Sequence, residues 1–152
     1  MAQIMQLWEA ISLGRVLVKP ISRGEWYFDG SGCARGMALE AVGKRCQSTN
    51  AQNYIRFERL WPWTTSNSRY PCECSRNPDP VLNTGVSSIS VIITHLFDEH
   101  VERWRADAHV IPLSIWTLER LIDWVRSVEP EPEPEPEALP ASSESQAVQG
   151  AR

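Results

Sequence analysis

Residues 70–101 read YPCECSRNPDPVLNTGVSSISVIITHLFDEHV. Cys72 and Cys74 sit in a Pro-rich turn, an apolar run follows, and His95 and His100 close the stretch. Nowhere else in the chain do four metal-type ligands come in the order Cys, Cys, His, His. Zinc takes four tetrahedral nitrogen or sulfur ligands, most often imidazole and thiolate. A cysteine pair in a tight turn and a histidine pair on or after a helix can close such a site. His-x4-His has an accepted spacing, whereas Cys-x-Cys is tighter than usual. The 20 residues between Cys74 and His95 exceed the roughly 12 of a common finger. The reading is a structural zinc held by Cys72, Cys74, His95 and His100. The bland alternative is two loop cysteines and two surface or capping histidines. Were water to take one ligand position, Asp98 or Glu99 is a conceivable base.

Within this stretch, the run Val91-Ile92-Ile93-Thr94 favours a strand by propensity. Ile89, Ile92, Ile93 and Leu96 also form a helical stripe, and residues 86–99 have no evident strand partner, so helix is expected. Residues 64–85 are rich in Ser, Asn, Pro and Gly and are expected to be irregular. A loop this long needs something to organise it, and a metal on Cys72 and Cys74 supplies that.

Toward the C-terminus, residues 101–113 read as a connection containing Trp104. Ser114 is expected to cap a helix over 115–128, with Ile115, Leu118, Ile122 and Val125 on one stripe and Leu121 and Trp124 widening it. The last 24 residues read EPEPEPEPEALPASSESQAVQGAR. Alternating Glu and Pro cannot build a helix or a core, so residues 129–152 are expected to be an extended, disordered acidic tail. It reads as a solubilising appendage, or as a docking tail for a basic partner.

Toward the N-terminus, residues 50–60 predict a helix with Asn50 as N-cap and Tyr54, Phe57 and Leu60 on one face. Trp61-Pro62-Trp63 ends it. Residues 33–42 predict another, closed by Gly43 and Lys44-Arg45. Ala34, Met37, Ala38, Ala41 and Val42 are small or flexible, which places this helix at the centre of the bundle. Residues 20–32 read as a loop with one extended piece at 26–28 and a turn at Asp29-Gly30-Ser31-Gly32. Residues 3–18 are an amphipathic helix with Ile4, Leu7, Trp8, Ile11 and Val18 on its stripe, ended by Lys19-Pro20.

The fold class that results is mainly α: one small domain over 1–128, with four to five short helices and a long loop pinned by a structural metal. The chain has 152 residues and 42% apolar residues, and its net charge of −4 is unevenly spread. Six of the 19 acidic and one of the 15 basic residues lie from Glu129 onward, so residues 1–128 carry a balance of +1. Strong phosphate binding is therefore not expected. Four cysteines are too few for a disulfide framework. With no signal-peptide pattern and no run of 18 apolar residues, a reduced cytoplasmic setting without membrane insertion is expected.

The motifs Cys33-Ala34-Arg35-Gly36-Met37-Ala38, Cys72-Glu73-Cys74, His95-Leu96-Phe97-Asp98-Glu99-His100 and Trp116-Thr117-Leu118-Glu119-Arg120-Leu121-Ile122-Asp123-Trp124-Val125 occur in that order. In this the chain resembles a group of small uncharacterised bacterial and phage-borne proteins. Those carry a Cys-Ala-x-Gly helix start, a Cys-x-x-Cys turn and an HLND-x-H segment leading into an IADWV-type helix. The resemblance spans most of residues 3–128. It departs in the tighter cysteine pair and in the extra residues 101–113. It implies an architecture and a phage or mobile-element setting (a host cytoplasm), with no established activity.

Two further constellations bear on function. Cys33 follows Gly30-Ser31-Gly32 and opens a helix, where unpaired N–H groups lower a thiol pKa. With His95, His100 or His109 as base it is the candidate nucleophile of a small cysteine-dependent hydrolase. Packing is its plainer role, and Cys46 shows no partner. Arg69, Arg76, Arg103 and Arg105, with Trp61, Trp63 and Trp104 to stack on bases, make a weak nucleic-acid-binding module a third reading. The leading reading is a non-catalytic, zinc-stabilised binding or regulatory module with a protein partner. No small-molecule ligand is implied.

Overall fold

Helix α2, Ala34–Ala41, is the element the others close around. Its residues Ala34 to Leu39 are all buried. The computed structural model describes residues 4–20, 26–28, 30–44, 50–72, 85–101 and 116–134. Helix α1, Leu7–Leu17, lies along α2, and Leu7, Ala10 and Ile11 are buried against it. The two backbones approach so closely at Gly14 that a Cβ there would strike the Met37 carbonyl. On another side of α2, a Cβ at Gly36 would strike the Trp26 carbonyl. The small residues of α2 thus set the spacing of the core, as expected for the central helix. Gly43, at φ 73°, ends it, and the Lys44 N–H donates to the Leu39 carbonyl at 2.9 Å.

Among the described residues, the expected loop over 20–32 contributes to a small sheet, with the expected extended piece at 26–28 as one of its strands. Strand β1 (Lys19–Pro20) runs parallel to β3 (Ser31–Gly32), and β2 (Tyr27–Phe28) runs antiparallel to β3, giving the order β1-β3-β2. Helix α3, Asn50–Leu60, buries Phe57 and Asn53. Trp26 meets Phe57 edge-on, and Phe57 meets Trp61, with centroids 5.7 and 5.2 Å apart. A buried cation is enclosed here. The Arg35 guanidinium lies 4.1 Å from the Trp26 ring centre and donates to Ser90 Oγ and to the Tyr54 hydroxyl, each at 3.1 Å. These contacts offset part of the cost of burying the charge.

Helix α3 ends at Leu60, as Trp61-Pro62-Trp63 implied, and a 3-10 turn, Pro62–Thr65, follows it. Residues 67–69 and 86–88 depart from expectation. Strand β4 (Asn67–Arg69) pairs antiparallel with β5 (Val86–Ser88), with Asn67 opposite Ser88 and Arg69 opposite Val86. Residues 86–88 are therefore strand, not the start of a helix. Their partner was missed because Asn-Ser-Arg carries no β-branched or aromatic residue. Helix α4, Ile89–His95, starts immediately after β5 with Ser88 as its cap, and runs into a π-helical turn, Leu96–Val101.

Helix α5, Leu118–Val128, buries Leu121, Ile122 and Val125. Its cap is Thr117, whose Oγ accepts the Arg120 N–H at 3.1 Å, rather than Ser114. Trp116 explains the later start: it is buried, and its N–H is held by the His100 carbonyl at 3.2 Å. Ser114 and Ile115 lie outside the described residues, as does the expected tail from 135 on. Helices α1 and α5 run antiparallel, with Arg15 on Glu119 at one end and Arg126 over Trp8 at the other. Glu129, counted with the tail from sequence, folds back onto the body. Its two carboxylate oxygens accept the Leu7 and Trp8 N–H groups at 2.7 and 3.2 Å, capping α1.

The expected class is observed: one small, mainly helical domain, with five α-helices among the described residues. None of their helices is long and apolar enough to cross a membrane. The close approaches give a test by urea unfolding. Gly14→Ala and Gly36→Ala must push backbone apart, so each should cost about 3 kcal/mol. Gly43→Ala meets open space and should cost only the left-handed backbone, about 1–2 kcal/mol. Equal losses at all three would contradict this packing.

Candidate metal centre

Two histidines five residues apart do not share a face of an α-helix. At 3.6 residues per turn, five steps overshoot a full turn by about 140°. The π-helical turn cuts most of that offset, because its bonds run from residue i to i+5 and bring residue 100 towards the face of residue 95. His95 Nε2 and His100 Nε2 consequently face one another at 3.2 Å. Cys72, just beyond β4, brings its Sγ to 3.3 Å from His95 Nε2. All three ligand atoms lie within 4.8 Å of one another.

These distances suit a tetrahedral ion. With metal–nitrogen bonds of about 2.0–2.1 Å and metal–sulfur bonds of about 2.3 Å, the tetrahedral edges are about 3.3 Å for N–N and about 3.6 Å for N–S. The observed separations are slightly shorter and need only a small expansion. The surroundings favour the ligand form of the imidazoles. Glu99, one helical turn after His95, places Oε2 3.3 Å from His95 Nδ1. That oxygen is buried and has no aligned hydrogen-bond partner. A carboxylate against Nδ1 favours the tautomer whose Nε2 is bare, the usual support of a metal-bound histidine. His100 Nε2, facing that nitrogen at 3.2 Å, can donate a proton to it or, once deprotonated, share a cation with it.

The walls fix the rings. Tyr70 stands edge-on to His95 with centroids 5.0 Å apart, and Trp116 packs 6.4 Å from His100. His95 is 8% exposed and His100 fully buried, while Cys72 is partly exposed. Cys72, His95 and His100 can together hold a metal ion. Of the expected ligands, Cys74 lies outside the described residues. Glu99 stands behind His95 rather than in the position of a base, and Asp98 is buried with its charge acting on Cys33.

The other candidates fare differently. Cys33 does stand at the start of α2, but it is buried, and that burial pushes its thiol up. Arg35 and a backbone N–H from Gly36 pull the other way without prevailing, and Asp98 adds to the rise. The shift is opposite to the one an activated nucleophile needs. His109 lies outside the described residues, as do Arg76, Arg103, Arg105 and Trp104. Arg69 is on β4 and exposed, whereas Trp61 is 2% exposed, spends its indole N–H on the Met5 carbonyl and offers no face to a base.

The chain matches no protein-family model, no curated protein and no solved structure. Its chemistry is therefore read from the site. Cobalt(II) added to the protein should give the intense visible bands of a tetrahedral ion and a thiolate-to-metal band in the near ultraviolet. Cys72→Ser should weaken the thiolate band, and His100→Ala should weaken the visible ones. Pale octahedral spectra in all three proteins would rule out this ligand set.

Proposed function

We propose that the chain is a non-catalytic, zinc-stabilised binding or regulatory module, acting on a protein partner in the cytoplasm. The observation that carries the metal part is the convergence of Cys72 Sγ, His95 Nε2 and His100 Nε2 beside the Glu99 carboxylate. Zinc is the ion of choice because mixed thiolate and imidazole donors at tetrahedral spacing suit it. The site joins the segment after β4 to the end of α4, two parts of the chain distant in sequence, which is what a structural metal does in a small domain. The phage or mobile-element setting rests on the resemblance in the motifs around Cys33, Cys72, His95 and Trp116. The alternative of a hydrolase built on Cys33 loses support from that thiol's burial.

Metal content and a thermal melt test this reading. Protein purified without a metal-binding tag should carry one zinc per chain. Free zinc at one hundred times its Kd should add about 2.7 kcal/mol of stability. That is on the order of 10 °C in Tm for a domain of this size, reversed by a chelator. Absence of zinc and an unchanged melt would sink the proposal. Cys33 should resist alkylation at neutral pH until the chain is unfolded, whereas rapid labelling of the folded protein would revive the hydrolase.

A further inference from the structure

We infer that the metal centre is a redox switch whose oxidisable group is Cys72, opened by a peroxide and closed again by a thiol. The inference rests on the zinc reading above and adds a regulation to it. It stands on three features of the site. Cys72 supplies the one sulfur donor among the described ligands, and a metal-bound thiol is held as thiolate, the form that oxidises. The other two donors are imidazoles, which mild peroxide leaves intact, and they are shielded at 8% and 0% exposure. Cys72 is the partly exposed member of the group, so of the three it is the one a solute can reach. Cys33, by contrast, is buried with its thiol pushed up, which marks it as the inert cysteine.

The chemistry balances with hydrogen peroxide as the oxidant. The Cys72 thiolate attacks one peroxide oxygen, an S–O bond forms, the O–O bond breaks and hydroxide leaves. The sulfur gives up two electrons and becomes a sulfenic acid, which is a poor ligand, so the ion loses its hold on Cys72 and is released. A small thiol then displaces water from the sulfenic acid to form a mixed disulfide. A second molecule of thiol takes the first away as its own disulfide and returns Cys72 as thiol. Loss of the ion frees the segment after β4 from α4. It also takes the shared ion from His95 and His100, and His100 carries the backbone contact to Trp116 that precedes α5.

The test uses the full chain loaded with one zinc. Hydrogen peroxide should release the zinc to a chromogenic chelator, and dithiothreitol followed by zinc should restore binding. Dimedone present during oxidation should label Cys72 and leave Cys33 unlabelled in the peptide map. Cys72→His, which keeps a ligand but removes the sulfur, should hold its zinc through the same treatment. Where Cys72→His fails to bind zinc, the wild-type label map decides alone. Zinc retained by the wild-type protein under peroxide overturns the switch while leaving the metal reading intact. Equal release from Cys72→His, or a label confined to another cysteine, overturns the assignment to Cys72. A chain that binds no zinc at all overturns both.

Discussion

The widened turn at Leu96–Val101 is the constraint on which the site and its neighbourhood depend. An α-helix continued through these residues would carry His100 away from His95 and turn a different set of side chains inward. With the π-helical turn in place, Leu96 and Phe97 are fully buried in the core, and Asp98 acts on Cys33 at the start of α2. His100 completes the metal group, and its carbonyl fixes Trp116. One local departure from helical geometry thus serves the core, the candidate metal group and the approach to α5. Such insertions recur at functional sites, where their cost is met by what they position.

The rest of the domain supplies a rigid platform for that turn. Its strength comes from apolar burial around α2, where backbone-to-backbone approaches at Gly14 and Gly36 leave no slack. The visible ion pair between α1 and α5, Arg15 with Glu119, is well exposed and adds little by comparison. Glu129 is more telling. Its half-buried carboxylate caps α1 through two backbone N–H groups, yet burial still holds its pKa above the usual carboxylate value. A raised carboxyl pKa means that ionisation works against the fold. This contribution to stability therefore improves as pH falls through the folded pKa. The contact nevertheless ties the root of the Glu-Pro segment to the N-terminal helix.

Much of this was legible from the chain. The stripes Leu7-Ile11-Val18 and Leu121-Ile122-Val125, and the small residues of α2, carry helical period and volume, and both are properties of local sequence. The three residues of the candidate metal group, Cys72, His95 and His100, could be picked out because cysteine and histidine are rare and chemically distinctive. The geometry joining them was not legible, since His-x4-His by itself gives no sign of a π-helical turn. The β4–β5 pair was hidden because Asn67, Ser68 and Arg69 are drawn into a strand by their partner and not by propensity. Arg35 and Glu129 were missed for a related reason. Their roles depend on Trp26, Tyr54, Ser90, Leu7 and Trp8, which only the folded chain brings to them.

The most direct measurement is zinc K-edge X-ray absorption on the metal-loaded full chain. It reads the donor atoms without recourse to variants. The account predicts sulfur at about 2.3 Å together with the outer-shell scattering of two imidazoles at about 2.0–2.1 Å. A shell of oxygens alone, with neither sulfur nor imidazole scattering, would contradict it.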